Sequence, residues 1–180
     1  MTAVDGRVRG VTKIVDAGPA SKRWNLVLTS DGYRAEEMDR FAADVQSLTD
    51  YLFTAAPFDD PTLRRAINIF RLDVESNQSG ADKPICPDGG GTGATAATYF
   101  DGTFCYDGRT ERLLYGDDRL AISTVKTWVP KWHQILILVN DTQRGGGGGD
   151  VGWFSTSSGD WRDVAIHGNG PFGLRSGRRI

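Results

Sequence analysis

Residues 135–139 read Ile-Leu-Ile-Leu-Val and form the most apolar run of the chain. A strand of this composition has no polar face to turn towards water, so it is expected to be covered on both faces. Strands of that kind lie inside sheets whose two faces carry helices. The run therefore predicts a central strand in an α/β fold whose sheet packs against helices.

The segments on either side of this run alternate between helix and strand patterns. Apolar residues recur at steps of three and four residues from Met38 to Leu52, which predicts an amphipathic helix. Residues 120–128 predict a second, shorter helix. Strand patterns occupy the other apolar segments, namely 8–16, 25–28, 67–74 and, as an edge strand, 151–155. The alternation of strands with helices supports a layered α/β domain.

Length and charge restrict the classes of function. A chain of 180 residues suffices for one domain with one core. Its formal net charge of −2 gives no electrostatic case for binding nucleic acid or a membrane surface. No apolar run approaches the roughly eighteen residues of a transmembrane helix. The first ten residues also lack the apolar stretch of a signal peptide. The location stays undecided, with a secreted or cell-surface protein among the options.

A long irregular segment, residues 75–108, separates the two halves of the pattern. Loops of this length inside a domain are uncommon and are usually functional. The segment contains Cys86 and Cys105, the two cysteines of the chain. They are compatible with one disulfide that closes the loop or with two buried free thiols, and the sequence does not decide between these.

The tail of the chain, from His167, reads H-G-N-G-P-F-G-L-R-S-G-R-R-I and breaks the preceding pattern. Residues 160–166 resemble the start of a helix, whereas Gly168, Gly170 and Pro171 are unfavourable in a helix's next turn. The genetic code offers an explanation. When the tail is written as degenerate codons and one G is removed just after the His167 codon, the permitted translations include H-E-M-G-H-S-A-F-G-L-A-D-E-Y. We therefore expect a one-base frameshift at this point; the alternative is a genuine basic, glycine-rich tail.

The shifted translation contains the motif HExxH. Residues four apart on a helix share one face, so the two imidazoles of this motif can bind one Zn²⁺. The glutamate between them then lies beside the metal-bound water as a general base. A third ligand would come from further along the chain. In the chain as written only His167 of this set is present, and one histidine does not make a catalytic zinc site.

Four segments carry a resemblance to a known family. They are N-L-V-L-T-S-D-G-Y at 25–33, I-N-I-F-R-L-D-V-E-S-N-Q-S-G-A-D at 67–82, T-Y-F-D-G-T-F-C at 98–105 and I-L-I-L-V-N at 135–140. In this order, and followed by a glycine-rich turn, they resemble the bacterial IgA-peptidase-type zinc metallopeptidases. The resemblance implies a zincin-like α/β catalytic domain in which a mixed sheet packs against helices. It also implies one zinc ion, a peptide or protein substrate and hydrolysis of peptide bonds.

One metal ligand carries over from the family pattern, namely His167, which matches the first zinc-binding histidine. Gly168 stands where the family has its general-base glutamate, and Pro171 stands where it has the second histidine. The resemblance thus implies an incomplete, N-terminal part of a peptidase domain over residues 25–167, with no catalytic residue and no activity as written. Residues 1–24 are expected to form an extension or a first strand, and residues 168–180 an aberrant tail. The alternative is a non-catalytic module that binds peptides or glycans on a peptidase-like scaffold.

Other conspicuous features receive ordinary structural explanations. The five glycines at 145–149 predict a solvent loop, with a flexible loop before a substrate-pairing edge strand as the alternative. His133 is interpreted as a residue that precedes a strand, and the alternative is a zinc pair with His167. Residues 30–33 are assigned to turn chemistry. Three acidic residues are considered as calcium ligands, but their spacing is not that of an EF-hand. They are Asp73, Glu75 and Asp82.

Overall fold

The computed structural model describes residues 5–156, which contain a six-stranded sheet and three helices. The strands are β1 (Gly6–Val15), β2 (Trp24–Asp31), β3 (Ile67–Ser76), β4 (Gln134–Val139), β5 (Gly146–Gly147) and β6 (Val151–Ser155). The helices are α1 (Met38–Leu52), α2 (Pro61–Arg64) and α3 (Asp118–Trp128), and 3₁₀ turns at Ala20–Lys22 and Ala35–Glu37 precede β2 and α1.

The sheet has the strand order β1-β3-β2-β4-β6-β5. Its four inner strands are parallel, whereas β1 and β5 run antiparallel to their neighbours. Strand β4 pairs with β2 on one side and β6 on the other, and Ile135–Val139 are fully or almost fully buried. The mixed sheet and its central strand are therefore as the sequence predicts.

Helices cover the two faces of the sheet separately. On one face, α1 contributes Phe41, Val45, Leu48 and Leu52 to a core that includes alternate residues of β2, β3 and β4. On the other face, α3 and the long segment, which in the structure comprises residues 77–117 between β3 and α3, pack against the intervening residues of the same strands. The spacing of the apolar residues in α1 is what places its buried stripe on the sheet. The result is a three-layered α/β arrangement.

Local side-chain bonds fix where the helices begin. The Asp117 carboxylate accepts a hydrogen bond from the backbone N–H of Leu120 (2.9 Å) and so caps α3. Ahead of α1, Glu37 accepts from the backbone N–H of Arg34 (2.9 Å) and holds the 3₁₀ turn that leads into the helix.

No helix within residues 5–156 combines the length and the apolarity needed to cross a membrane.

Two expectations about the sheet change. The segment 151–155 was expected at the edge, but β6 lies between β4 and β5. The segment also pairs with a stretch of the glycine run, which the sequence pattern does not identify as a strand because glycine has low strand propensity.

The pairing of the cysteines, which the sequence leaves open, is a disulfide between Cys86 and Cys105.

Candidate functional site at the carboxyl edge of the sheet

The carboxyl ends of the four parallel strands meet at one edge of the sheet. From β2 the chain crosses to β3 on one side, and from β3 it returns past β2 to β4 on the other. The point between β2 and β4 is therefore a switch in the direction of winding, where α/β proteins commonly form their sites. Asp31 ends β2 here, Asn140 and Asp141 follow β4, and Thr156 follows β6.

Asp31 is the central polar group of this edge, and its side chain is completely buried. Its carboxylate accepts hydrogen bonds from Thr98 Oγ1, the Phe100 N–H and the Gly102 N–H, each at 2.9 Å. Ser76 Oγ lies 3.5 Å from the same carboxylate. These donors come from a segment far along the chain, so Asp31 ties residues 98–102 to the end of β2.

Burial raises the pKa of Asp31 to about 6, while the donors from Phe100, Gly102 and Thr98 act in the opposite direction. At neutral pH the carboxylate form is therefore favoured, and within residues 5–156 its partners are hydrogen-bond donors. The sequence pattern predicts turn chemistry for residues 30–33, and this prediction is wrong for Asp31, which ends a strand. Asp31 bonds across the molecule because it terminates a buried strand.

Close backbone contacts at this edge require glycine. Gly32 has φ +69°, and a Cβ there would lie 2.0 Å from the carbonyl oxygen of Gly80. Gly102 approaches so closely that a Cβ would lie 2.6 Å from Asp31 Oδ2. Ser76 Oγ completes the junction by accepting from the N–H groups of Gly32 and Tyr99, both at 3.0 Å. The long segment therefore approaches the strand ends closely and is joined to them by the Asp31 and Ser76 side chains.

The long segment is also fastened to itself and to β5. Isolated bridges join Asp82 with Thr103, Thr103 with Tyr115, and Leu113 with Gly146. The disulfide links Cys86 to Cys105, and both cysteines are buried. A further bridge joins Lys83 with Ala94, so a loop that the sequence leaves without structure is held by backbone pairing at four places and by one covalent bond.

The glycine run differs from the solvent loop predicted from its sequence, because part of it pairs on both sides. Gly146 donates its N–H to the Arg112 carbonyl (3.0 Å) and accepts from the Leu114 N–H (3.3 Å). On the other side β5 pairs with Trp153 and Phe154 of β6. Because both edges of Gly146 are occupied, a peptide cannot pair at this residue without displacing residues 112–114.

The end of β6 is held firmly where the chain leaves the sheet. Thr156 donates to the Val139 carbonyl through its backbone N–H (3.0 Å) and through Oγ1 (3.2 Å). Its Oγ1 lies 3.4 Å from the hydroxyl of Tyr33, which donates to Asp44 Oδ2 at 2.7 Å. Burial, together with the Asp44 carboxylate, raises the pKa of Tyr33, so this hydroxyl stays protonated. The segment after Thr156 thus starts from a fixed position.

The sequence-predicted metal ligand, His167, lies outside the described residues. His133 accepts a hydrogen bond from the Asn25 N–H through Nδ1 (3.1 Å), as expected of a residue that precedes a strand. The three acids considered for calcium are engaged separately. Asp73 pairs with Arg71 and Glu75 with Arg7, and Asp82 Oδ1 accepts from the Ala96 N–H.

Within residues 5–156 no three histidine, cysteine, aspartate or glutamate side chains come together as a metal site. The polar groups at the carboxyl edge are engaged with one another instead. Lys83, for example, forms an ion pair with Asp141 at 2.8 Å. Asn140 is engaged in the same way, through a side-chain hydrogen bond with Glu37. In the part of the chain that the structure describes, the polar side chains of this edge are thus bonded to one another.

Comparison with known proteins gives one family. The sequence model of the family described as IgA Peptidase M64 matches residues 12–169, which include β2 to β6, the long segment and His167. No curated protein matches the chain. The match spans well over half of the chain and includes every element that builds the carboxyl edge. The chain belongs to the IgA peptidase M64 family of metallopeptidases.

Proposed function

We propose that this chain is the scaffold of a zinc-dependent, zincin-like metallopeptidase domain and that it does not hydrolyse peptides as written. The observation that carries the proposal is the extent of the family match. It runs through His167 and stops at residue 169, two residues later. The end of the match therefore lies close to the position where removal of one base would restore the motif, which supports the proposal.

The residues that follow His167 do not fit a zinc site. A catalytic zinc needs three protein ligands and a general base close to the bound water. Gly168 has no side chain to serve as the base, and Pro171 has no ligand atom and disfavours the helix that the motif requires. The chain as written therefore offers one candidate ligand, His167, and no catalytic group.

The described scaffold supports a hydrolase origin in another way. The Asp31 network and the disulfide hold the long segment against the carboxyl edge, and Thr156 starts the next segment from a fixed position. Catalytic groups need support of this rigidity, because small displacements reduce activity strongly. We assign residues 25–167 to the peptidase domain, preceded by residues 1–24, and residues 168–180 to the shifted frame.

Metal content and hydrolysis test the proposal together. The chain as written is compared with the product of a gene from which the surplus G after codon 167 is deleted. We expect substoichiometric zinc and no peptide hydrolysis from the first protein. The second is expected to bind about one zinc ion per chain and to cleave a peptide library.

The matched control is the restored protein with the glutamate of its motif changed to glutamine. It should bind zinc but lose hydrolysis, because the ligands remain and the base is removed. Hydrolysis by the chain as written, abolished by chelation of metal, would contradict the proposal. So would a restored protein that folds but binds no zinc.

The second candidate function is a non-catalytic module that binds peptides or glycans. The observation in its favour is a groove of about 590 Å³ beside the glycine run, lined by residues that precede the catalytic motif. Such a groove persists whether or not the motif is intact. The two functions differ at the level of DNA, since only the frameshift account requires an intact motif in another frame.

A further inference from the structure

The groove is formed by the second half of the long segment and the start of α3. Its volume is about 590 Å³, and its lining includes Asp101, Tyr106, Tyr115, Asp117, Asp118 and Arg119. It borders the glycine run, because the Tyr115 hydroxyl donates to the Gly148 carbonyl. A Cβ at Gly147 would lie 2.3 Å from the Tyr115 ring, so the ring is packed directly on that glycine. The groove therefore lies directly beside β5, the edge strand of the sheet.

Two tyrosine rings form the apolar wall of the groove. The ring centroids of Tyr106 and Tyr115 are 5.3 Å apart with an interplanar angle of 43°. Tyr106 is 57% exposed, although it follows the disulfide-bonded Cys105 and is held by a backbone hydrogen bond to Leu113. A fixed and exposed aromatic face of this kind can bind an aliphatic stem or a cation.

The charged residues that line the groove are three aspartates and one arginine, Arg119. Two carboxylates are held in place: Asp117 caps α3, and Asp118 accepts from Trp153 Nε1 at 2.8 Å. In the part of the chain that the structure describes, Asp101 has no ion-pair partner. The unbalanced negative charge beside an aromatic wall favours a cationic occupant.

We propose that this groove binds the lysine or arginine side chain of a peptide ligand. The stem of the side chain lies along Tyr106 and Tyr115, and its cationic head lies among the carboxylates of Asp101, Asp117 and Asp118. The inference rests on the proposed function in one respect, namely that the ligand is a peptide. It adds the chemical class of the side chain that the domain selects.

The test measures binding of three fluorescein-labelled peptides to the 180-residue chain. The peptides are identical except for a central lysine, norleucine or glutamate, so that the first two differ in charge rather than in the length of the stem. We expect the lysine peptide to bind roughly tenfold more tightly than the norleucine peptide, and the glutamate peptide to bind most weakly. The preference should diminish as salt is raised, because these charges are partly exposed.

Variants assign the preference to the groove. Asp101→Asn and Tyr106→Ala should each reduce the lysine-to-norleucine ratio several-fold, whereas Tyr106→Phe, which keeps the ring, should leave it unchanged. Asp59→Asn, an exposed carboxylate in the connection between α1 and β3, is the charge-matched control and should have no effect. Thermal unfolding verifies that each variant is folded.

The outcomes separate this inference from the proposed function. Equal binding of the lysine and norleucine peptides, or tighter binding of the glutamate peptide, overturns the groove assignment alone. A lysine preference that survives both Asp101→Asn and Tyr106→Ala also overturns it, since the preference then arises elsewhere. Failure of all three peptides to bind overturns it too. The frameshift part of the proposed function is judged independently, on DNA and zinc.

Discussion

Replacing Asp31 with alanine is expected to lower the free energy of unfolding by about 4 kcal/mol. The change leaves Thr98 Oγ1 and the N–H groups of Phe100 and Gly102 buried without an acceptor. Each orphaned donor costs about 1–3 kcal/mol. The loss is smaller than their sum because the buried charge is itself unfavourable, as its raised pKa indicates. Urea unfolding at pH 7, followed by tryptophan fluorescence, measures the difference.

Asp31→Asn is the matched variant. It retains an acceptor oxygen but turns an amide N–H₂ towards donors, so we expect an intermediate loss of about 2 kcal/mol. Asp59→Asn removes an exposed carboxylate and should change stability by less than about 0.5 kcal/mol. An alanine variant within 1 kcal/mol of the parent, about the median for single substitutions, would contradict the role given to Asp31.

Removing the disulfide is expected to cost about 3 kcal/mol of unfolding free energy. Cys86 and Cys105 are separated by 19 residues in sequence. A cross-link of this span restricts the unfolded chain enough to account for that value in the loop-entropy description. The double variant Cys86→Ser/Cys105→Ser is compared with the parent in urea without reductant.

Addition of reductant provides the control for this prediction. It should destabilise the parent to a similar degree and leave the double variant unchanged. The long segment should also become more sensitive to proteolysis in the variant, because part of its order depends on the bond. Equal stability of the parent with and without reductant, with unchanged proteolysis, would contradict the prediction.

Much of the fold follows from local patterns in the sequence. The helix over Met38–Leu52 and the buried strand at 135–139 are predicted correctly because each buries a face set by its own periodicity. Patterns of this kind need no knowledge of distant residues. They also suffice to predict an α/β domain in layers, whereas the mixed direction of the strands is implied by the family resemblance.

The features that the sequence pattern misses depend on partners far along the chain. Asp31 looks like a turn residue until residues 98–102 are placed against it, and the sequence spacing carries no sign of that contact. Gly146 looks like part of a flexible loop, yet its backbone groups pair with Arg112 and Leu114. Tertiary pairing overrides the low strand propensity of glycine here. The candidate ligand His167 comes from the motif and the family alone.

The coding DNA across codon 167 and several hundred bases beyond it provides the most direct test of the central account. We predict that removal of one G after that codon gives a frame that spells the HExxH motif and continues as an open coding sequence. The prediction is the same for a surplus base in the gene itself and for a sequencing error. A DNA sequence that stands as written, with no frame that encodes the motif or a continuing domain, would contradict the account. The binding-module function would then be the better explanation.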